Sequence, residues 1–297
     1  MSTGYDTHNN PPFKLYQPSE RRAPYVLNSP HSGRNYRPEF LTQTRLGNLA
    51  VRKSEDFMVD ELIAPTVSHG VPMLAANFPR AYMDTNREPY ELDPHLFAGS
   101  MPDYANTTSV RVSSGLGTIA RVVAEGENIY DDKLSLEDGL ERVETLYKPY
   151  HATLRRLLAE THVKFGYAVL IDCHSMPSNK ASPAYEARSD FVIGDRHGTA
   201  CAPELSQNAA RLLRELGYSV EINKPYAGGF ITQHYGRPQK GLHAIQIEIN
   251  RGLYMDEVRM QKSNGFYELQ NDLTLFTNRF FNLPNSGFEG AMPLAAE

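Results

Sequence analysis

Ala168-Val-Leu-Ile-Asp-Cys-His-Ser-Met-Pro177 is the stretch on which the reading of this chain turns. Its first four residues are all aliphatic. A run of that length without polar alternation reads as a strand covered on both faces. Asp172, His174 and Ser175 follow at once, and Pro177 closes the segment. Strands buried on both faces belong to sheets sandwiched by helices, and in open α/β sheets ligands gather beyond the carboxyl ends of the strands. The segment therefore predicts an α/β fold and puts His174 just after a strand, where its chemistry would lie.

Working outward, similar runs recur at Tyr25–Asn28, Val71–Ala76, Thr118–Val123, Phe191–Ile193, Ser219–Ile222 and Ala244–Ile249. Helical spacing lies between some of them. Leu140, Val143, Leu146, Tyr150, Leu154, Leu157 and Leu158 share one face of a helix opening at Ser135, an N-cap with Asp138 three positions on. Pro149 should kink or split that helix. Leu205, Ala209, Leu212, Leu213 and Leu216 mark a second helix, with Gly217 as a left-handed C-cap. Phe266, Leu269, Leu273, Phe276 and Phe280 mark a third, and a weaker one is expected from Ser54 through Asp56, Phe57, Asp60 and Leu62. These stripes are packing surface. The expected fold is a mixed, largely parallel sheet flanked by helices. Residues 1–297 are expected to form one domain, with an irregular arm at 1–24, where four prolines fall, and an irregular tail at 282–297.

The 297 residues are 40% hydrophobic and 22% charged, within the range of ordinary globular chains. With 35 acidic against 30 basic residues the formal charge is -5, so no broad positive field exists to hold nucleic acid or an anionic membrane. An anionic substrate must then be met by a few local arginines. Cys173 and Cys201 are too few for a disulfide scaffold and suit a reducing compartment. Residues 1–10 lack the apolar core of a secretory signal, and no apolar run approaches the ~20 residues of a membrane helix. The expectation is a cytoplasmic protein acting on a small molecule.

Polar residues just after strands are few. After Tyr25–Asn28 comes Ser29-Pro-His-Ser-Gly33, a tight loop able to aim His31. His31 and His174 thus occupy equivalent topological positions. Zinc in hydrolases takes three protein ligands from His, Asp and Glu and keeps one position open, so a third, acidic ligand is needed. Glu55 and Asp56 are candidates, with Asp60 one turn further on; their alternative reading is a solvated helix N-terminus. The two-residue period of a strand puts Gln246, Glu248 and Asn250 on one face, and a buried Glu248 requires a partner. Arg80, Asp84, Asn86 and Arg87 follow another strand. They form either a solvated charge cluster or a fork in which an arginine grips a substrate carboxylate. Tyr226-Ala-Gly-Gly-Phe230 reads as a loop over the pocket. Nearby His234 and Arg237 either touch substrate or face solvent.

Taken in order, Ser29–Gly33, Ser54–Leu62, Arg80 with Asp84–Arg87, Asp172–Pro177, Asp190–Asp195 and Gln246–Arg251 resemble the N-formylglutamate amidohydrolase family over about residues 25 to 257. The resemblance implies a zinc carboxypeptidase-like fold. It also implies that His31, His174 and Asp56 hold a divalent ion, zinc or another. By similarity to related aspartoacylase-like hydrolases, Arg80 polarises the scissile carbonyl, Asn86 and Arg87 grip a substrate carboxylate, and Glu248 is the catalytic glutamate. One position departs: Arg34 stands where those hydrolases carry a glutamate ligand, so the third ligand comes from elsewhere and Glu55 competes with Asp56. The implied activity is metal-dependent hydrolysis of N-formylglutamate or a similar small anionic N-acyl amino acid. An aspartoacylase-like deacylase and a non-catalytic metal- or carboxylate-binding module are the alternatives. A serine nucleophile at Ser32 or Ser175 would lack the Gly-x-Ser-x-Gly elbow.

Overall fold

In the computed structural model, which describes residues 11–124, 127–178, 189–283 and 288, the aliphatic run at 168–171 begins a longer strand, Ala168–Met176. All nine positions are buried. His174 thus lies within the strand, not after it. The strand continues through polar residues because Asp172 is satisfied inside the layer, accepting hydrogen bonds from Asn28 and His174.

The sheet contains β1 (Phe13–Tyr16), β2 (Tyr25–Ser29), β3 (Met73–Ala76), β4 (Ala168–Met176), β5 (Phe191–Gly194), β6 (Val220–Ile222) and β7 (Leu242–Asn250). Their order across the seven-stranded sheet is β1-β3-β2-β4-β7-β5-β6. β4 pairs in parallel with both β2 and β7, and β6 is parallel to β5. β5 runs antiparallel to β7. The sheet is therefore mixed and largely parallel, with its two longest strands, β4 and β7, side by side.

The helices that matter here are α1 (Val59–Ile63), α2 (Leu136–Arg142), α3 (Lys148–Phe165), α4 (Pro203–Glu215), α5 (Phe230–Tyr235) and α6 (Phe266–Phe281). Ser135 caps α2, its hydroxyl accepting from Asp138 N at 3.0 Å. Between α2 and α3 the chain makes a π-helical turn, Val143–Tyr147. Pro149 explains it: proline has no N–H for the carbonyl four residues back, Thr145, and its ring crowds that carbonyl, so the preceding turn widens. Gly217, just beyond α4, adopts φ +94, as its C-cap role requires.

Three expectations are corrected. The helix foreseen from Ser54 begins only at Val59, after Met58 at a left-handed φ of 53. Thr118–Val123 is not a sheet strand: Thr118 bonds to the 84–91 loop through Glu91 O and Asp84 N, and only Val122–Ala124 is extended, paired with Glu127–Asn128. The arm is not wholly irregular, since it contains β1, preceded by a Pro12 carbonyl that accepts from Asn77 N at 2.9 Å. Residues 1–10, 284–287 and 289–297 of the expected arm and tail lie outside the described residues.

The chain groups into two compact units, Met1–Lys14 with Pro30–Asp56 and Ala75–Leu154, and Leu15–Ser29 with Phe57–Leu74 and Arg155–Glu297. In the first, buried Arg142 stacks 3.9 Å above the Tyr82 ring and donates to Tyr130 Oη and Asp138. In the second, Tyr25 of β2 stacks on Phe281 of α6, 4.4 Å between centroids, tying the sheet to its helical layer.

Candidate active site

His31 follows β2 in a turn whose path depends on Gly33. A Cβ there would lie 2.0 Å from the Phe78 carbonyl oxygen, so only glycine lets the two backbones pass. The turn delivers a buried imidazole whose Nε2 donates to Asp84 Oδ1 at 2.7 Å. Its Nδ1 lies 3.4 Å from Asp56 Oδ2. Asp56 is presented by its own backbone, its N–H donating to His31 O at 3.0 Å. Glu55, the competing ligand, is turned elsewhere: it accepts from Arg52 Nε at 2.9 Å and from Tyr36 Oη at 3.1 Å. Glu55, Asp56 and Asp60 are all buried, which excludes the solvated helix N-terminus.

Asp84 gathers the arginine cluster, and it does so inside the protein. Its Oδ2 accepts from Arg80 Nε at 3.0 Å and sits 3.6 Å from an Arg87 nitrogen, while Oδ1 also accepts from Asn86 N at 2.8 Å. Burial would raise the Asp84 carboxyl, but the charges of Arg87 and Arg80 and the contact with His31 outweigh it and hold the group well below the usual carboxylate range. Burial lowers the Arg87 guanidinium, with Asp84 opposing. Arg87 also donates to Leu116 O and Asn86 O, so its plane is set by its own loop.

On β4, His174 Nε2 donates to Asp172 Oδ2 at 2.9 Å, and Asn28 Nδ2 holds the other Asp172 oxygen at 2.7 Å. The parallel register puts Glu248 beside His174 and Gln246 beside Asp172. Gln246 bridges: its Nε2 donates to Glu248 Oε1 at 2.8 Å, and its Oε1 accepts from Gly229 N at 2.8 Å. The glycine-rich loop therefore braces the strand carrying Glu248. Asn250 caps the next turn, accepting from Gly252 N, and Arg251 Nε donates to Ser175 Oγ. Asp190 and Asp195 hold loops, through Ser219 and through Gly198 and Asn223.

His31, Asp56 and His174 each bring one ligand atom within 4.8 Å of the others, and all three are buried. The donor set suits a divalent ion. In each imidazole Nε2 is fixed on a carboxylate, so Nδ1 carries the lone pair, the arrangement by which a second layer of carboxylates orients metal-binding histidines. Neither Glu55 nor Asp60 belongs to this group.

The sequence singles out neither Asp172 nor Asp84 as the partner of a histidine. Asp172 was detectable in principle, because it stands two residues before His174 and so shares its face of the strand. Asp84 was not, being 53 positions from the histidine it supports.

Comparison with known proteins supplies the family. The family model for N-formylglutamate amidohydrolase matches residues 23–255. An N-formylglutamate deformylase of Pseudomonas putida is 31% identical over 242 residues, 80% of this chain and 83% of that one. One from Pseudomonas aeruginosa is 28% identical over 239 residues, covering 80% and 84%. The crystal structure of an N-formylglutamate amidohydrolase from Ralstonia eutropha JMP134 superposes with a TM-score of 0.84 at 38% identity, covering 90% of this chain and 96% of that one. Among the described residues no helix is long and apolar enough to cross a membrane. Motif order, sheet topology and these matches together establish that the chain belongs to the N-formylglutamate amidohydrolase family.

Proposed function

We propose that this chain, acting as one amidohydrolase domain, hydrolyses the amide of N-formylglutamate to formate and glutamate, with a divalent cation held by His31, Asp56 and His174. The names of the relatives support the substrate. The observation that carries the metal reading is the buried group of two imidazoles and one carboxylate, each imidazole backed by an aspartate. Two nitrogens and one oxygen suit zinc, though other divalent ions accept the same donors. A cation there supplies Lewis-acid polarisation and a water acidified toward neutrality.

The chain's own groups do the rest. Glu248, oriented by Gln246, takes a proton from the attacking water as its oxygen bonds to the formyl carbon. The carbon–nitrogen bond then breaks, and Glu248 passes the proton to the leaving amine. Arg80, tethered through Nε to Asp84, stabilises the negative charge that develops on the carbonyl oxygen. Asn86 and Arg87 bind a carboxylate of the amino acid.

The test is formate release from N-formylglutamate, with N-acetylglutamate alongside and metal content measured on the same samples. Chelation should abolish turnover and zinc restore it. Glu248→Gln should keep its metal and lose turnover by about a hundredfold or more; His174→Ala should lose both. Full activity in metal-free protein would remove the metal, and no turnover by zinc-loaded protein would remove the substrate.

A further inference from the structure

His234 and Arg237, which the proposed chemistry does not use, border a cavity of about 530 Å³. It lies at the far end of β7 from Glu248. Leu242, the first residue of that strand, lines it, and six residues at about 3.3 Å each separate Leu242 from Glu248 by about 20 Å. The cavity therefore belongs to a different part of the sheet from the ligand group.

Its walls are apolar. Leu158 and Val163 of α3 and Leu242 of β7 line it. Among the described residues its charged lining is all of one sign: Arg155, Arg237 and Lys240 line the space, and no aspartate or glutamate does. Among the described residues none of these three cations forms an ion pair with a carboxylate, whereas neighbouring Arg156 of α3 pairs with Glu160. The positive field is felt within the cavity. His234 is held below its ordinary value first by burial and then by the charges of Arg237 and Arg155. The frame is fixed, since His162 on α3 donates to the Lys240 carbonyl at 3.0 Å. The volume falls among those of small-molecule sites, which pair an apolar lining with a few polar anchors.

We propose that this cavity binds a small organic monocarboxylate, its apolar body against Leu158, Val163 and Leu242 and its carboxylate held by Arg155, Arg237 and Lys240. Three like charges with no carboxylate partner among the described residues repel one another, and a carboxylate entering among them relieves that repulsion while forming charge-assisted hydrogen bonds. A neutral molecule of the same shape gains only the apolar contact. A cationic one is repelled.

Octanoate is the probe, titrated calorimetrically into the full-length protein, with octanamide as its neutral isostere. Octanoate should bind saturably and octanamide at least about tenfold more weakly, the factor expected for one charge-assisted hydrogen bond. Val163 is 85% exposed, so Val163→Glu introduces a carboxylate at the mouth without disturbing packing. It should weaken octanoate binding about tenfold, as should the exposed pair Arg237→Gln with Lys240→Gln. The proposal is overturned if octanoate shows no saturable binding up to millimolar concentration, if octanamide binds as tightly, or if both variants bind octanoate like the parent.

Discussion

Replacing Asp84 by asparagine removes one charge and almost no volume, and the consequence can be worked out atom by atom. The side chain is 4% exposed and receives four groups: His31 Nε2 and Asn86 N on Oδ1, Arg80 Nε and an Arg87 nitrogen on Oδ2. Every one of them is a donor. A carboxamide offers a single oxygen, so whichever way it turns, its NH₂ faces donors on the other side. Arg87, with a side chain 11% exposed, then keeps a positive charge inside the protein without its counter-ion. Removing one partner of a buried pair costs about 3–5 kcal/mol. Arg80, at 28% exposed, recovers part of this by turning to water, so the lower end, about 3 kcal/mol, is expected. Urea unfolding measures it: the midpoint of Asp84→Asn should fall with an unchanged denaturant slope. A second readout separates the site from stability. Without its aspartate, His31 should bind zinc about 10–100-fold more weakly in chelator competition. A stability loss under about 1 kcal/mol would refute the account of Asp84 as the centre of a buried charge network.

The other expectations follow the same logic. Asp172→Asn should reduce zinc affinity by about 10–100-fold through misorientation of His174, and an unchanged affinity would deny Asp172 its supporting role. Gly33→Ala puts a Cβ 2.0 Å from the Phe78 carbonyl oxygen, so a backbone must shift; the variant should lose more than about 3 kcal/mol or fail to accumulate in soluble form. His243 sets a pH dependence. Its Nδ1 accepts from Ala202 N and its Nε2 donates to Phe288 O, which requires the neutral ring, and burial lowers its pKa below 6.5 despite the Phe288 bond. As pH falls below about 6.5 the unfolded chain takes up this proton before the folded one, so stability drops until the folded pKa is reached and stays level above that window. The urea midpoint should show this slope in the parent and a smaller one in His243→Gln; equal slopes would exclude His243 as the source.

How much of this was legible follows from the range of the interactions involved. Aliphatic runs placed β2, β4 and β7 because burial on both faces leaves a local trace, and the spacing of Leu205 to Leu216 did the same for α4. Thr118–Val123, apolar apart from Thr118 and Arg121, became mostly loop, because its backbone bonds to Asp84, Glu91 and Gly115, none of them in the sheet. The strand of His174 ran longer than its aliphatic part because Asn28, on another strand, satisfies Asp172.

By itself the sequence determined the alternation of strands and helices, the pairing of His31 with His174 as histidines near strand ends, and the ordered motif set that identifies the family. Each is written in periodicity or in short motifs. Tertiary structure alone decided which acid joins the histidines. Glu55 and Asp56 are adjacent and chemically alike; Arg52 and Tyr36 capture the first, and a backbone hydrogen bond to His31 aims the second. It also decided that Asp84, 53 positions from His31, is buried behind it rather than solvated among arginines. Contacts between side chains far apart in the chain leave no periodic mark, so only the folded molecule reveals them.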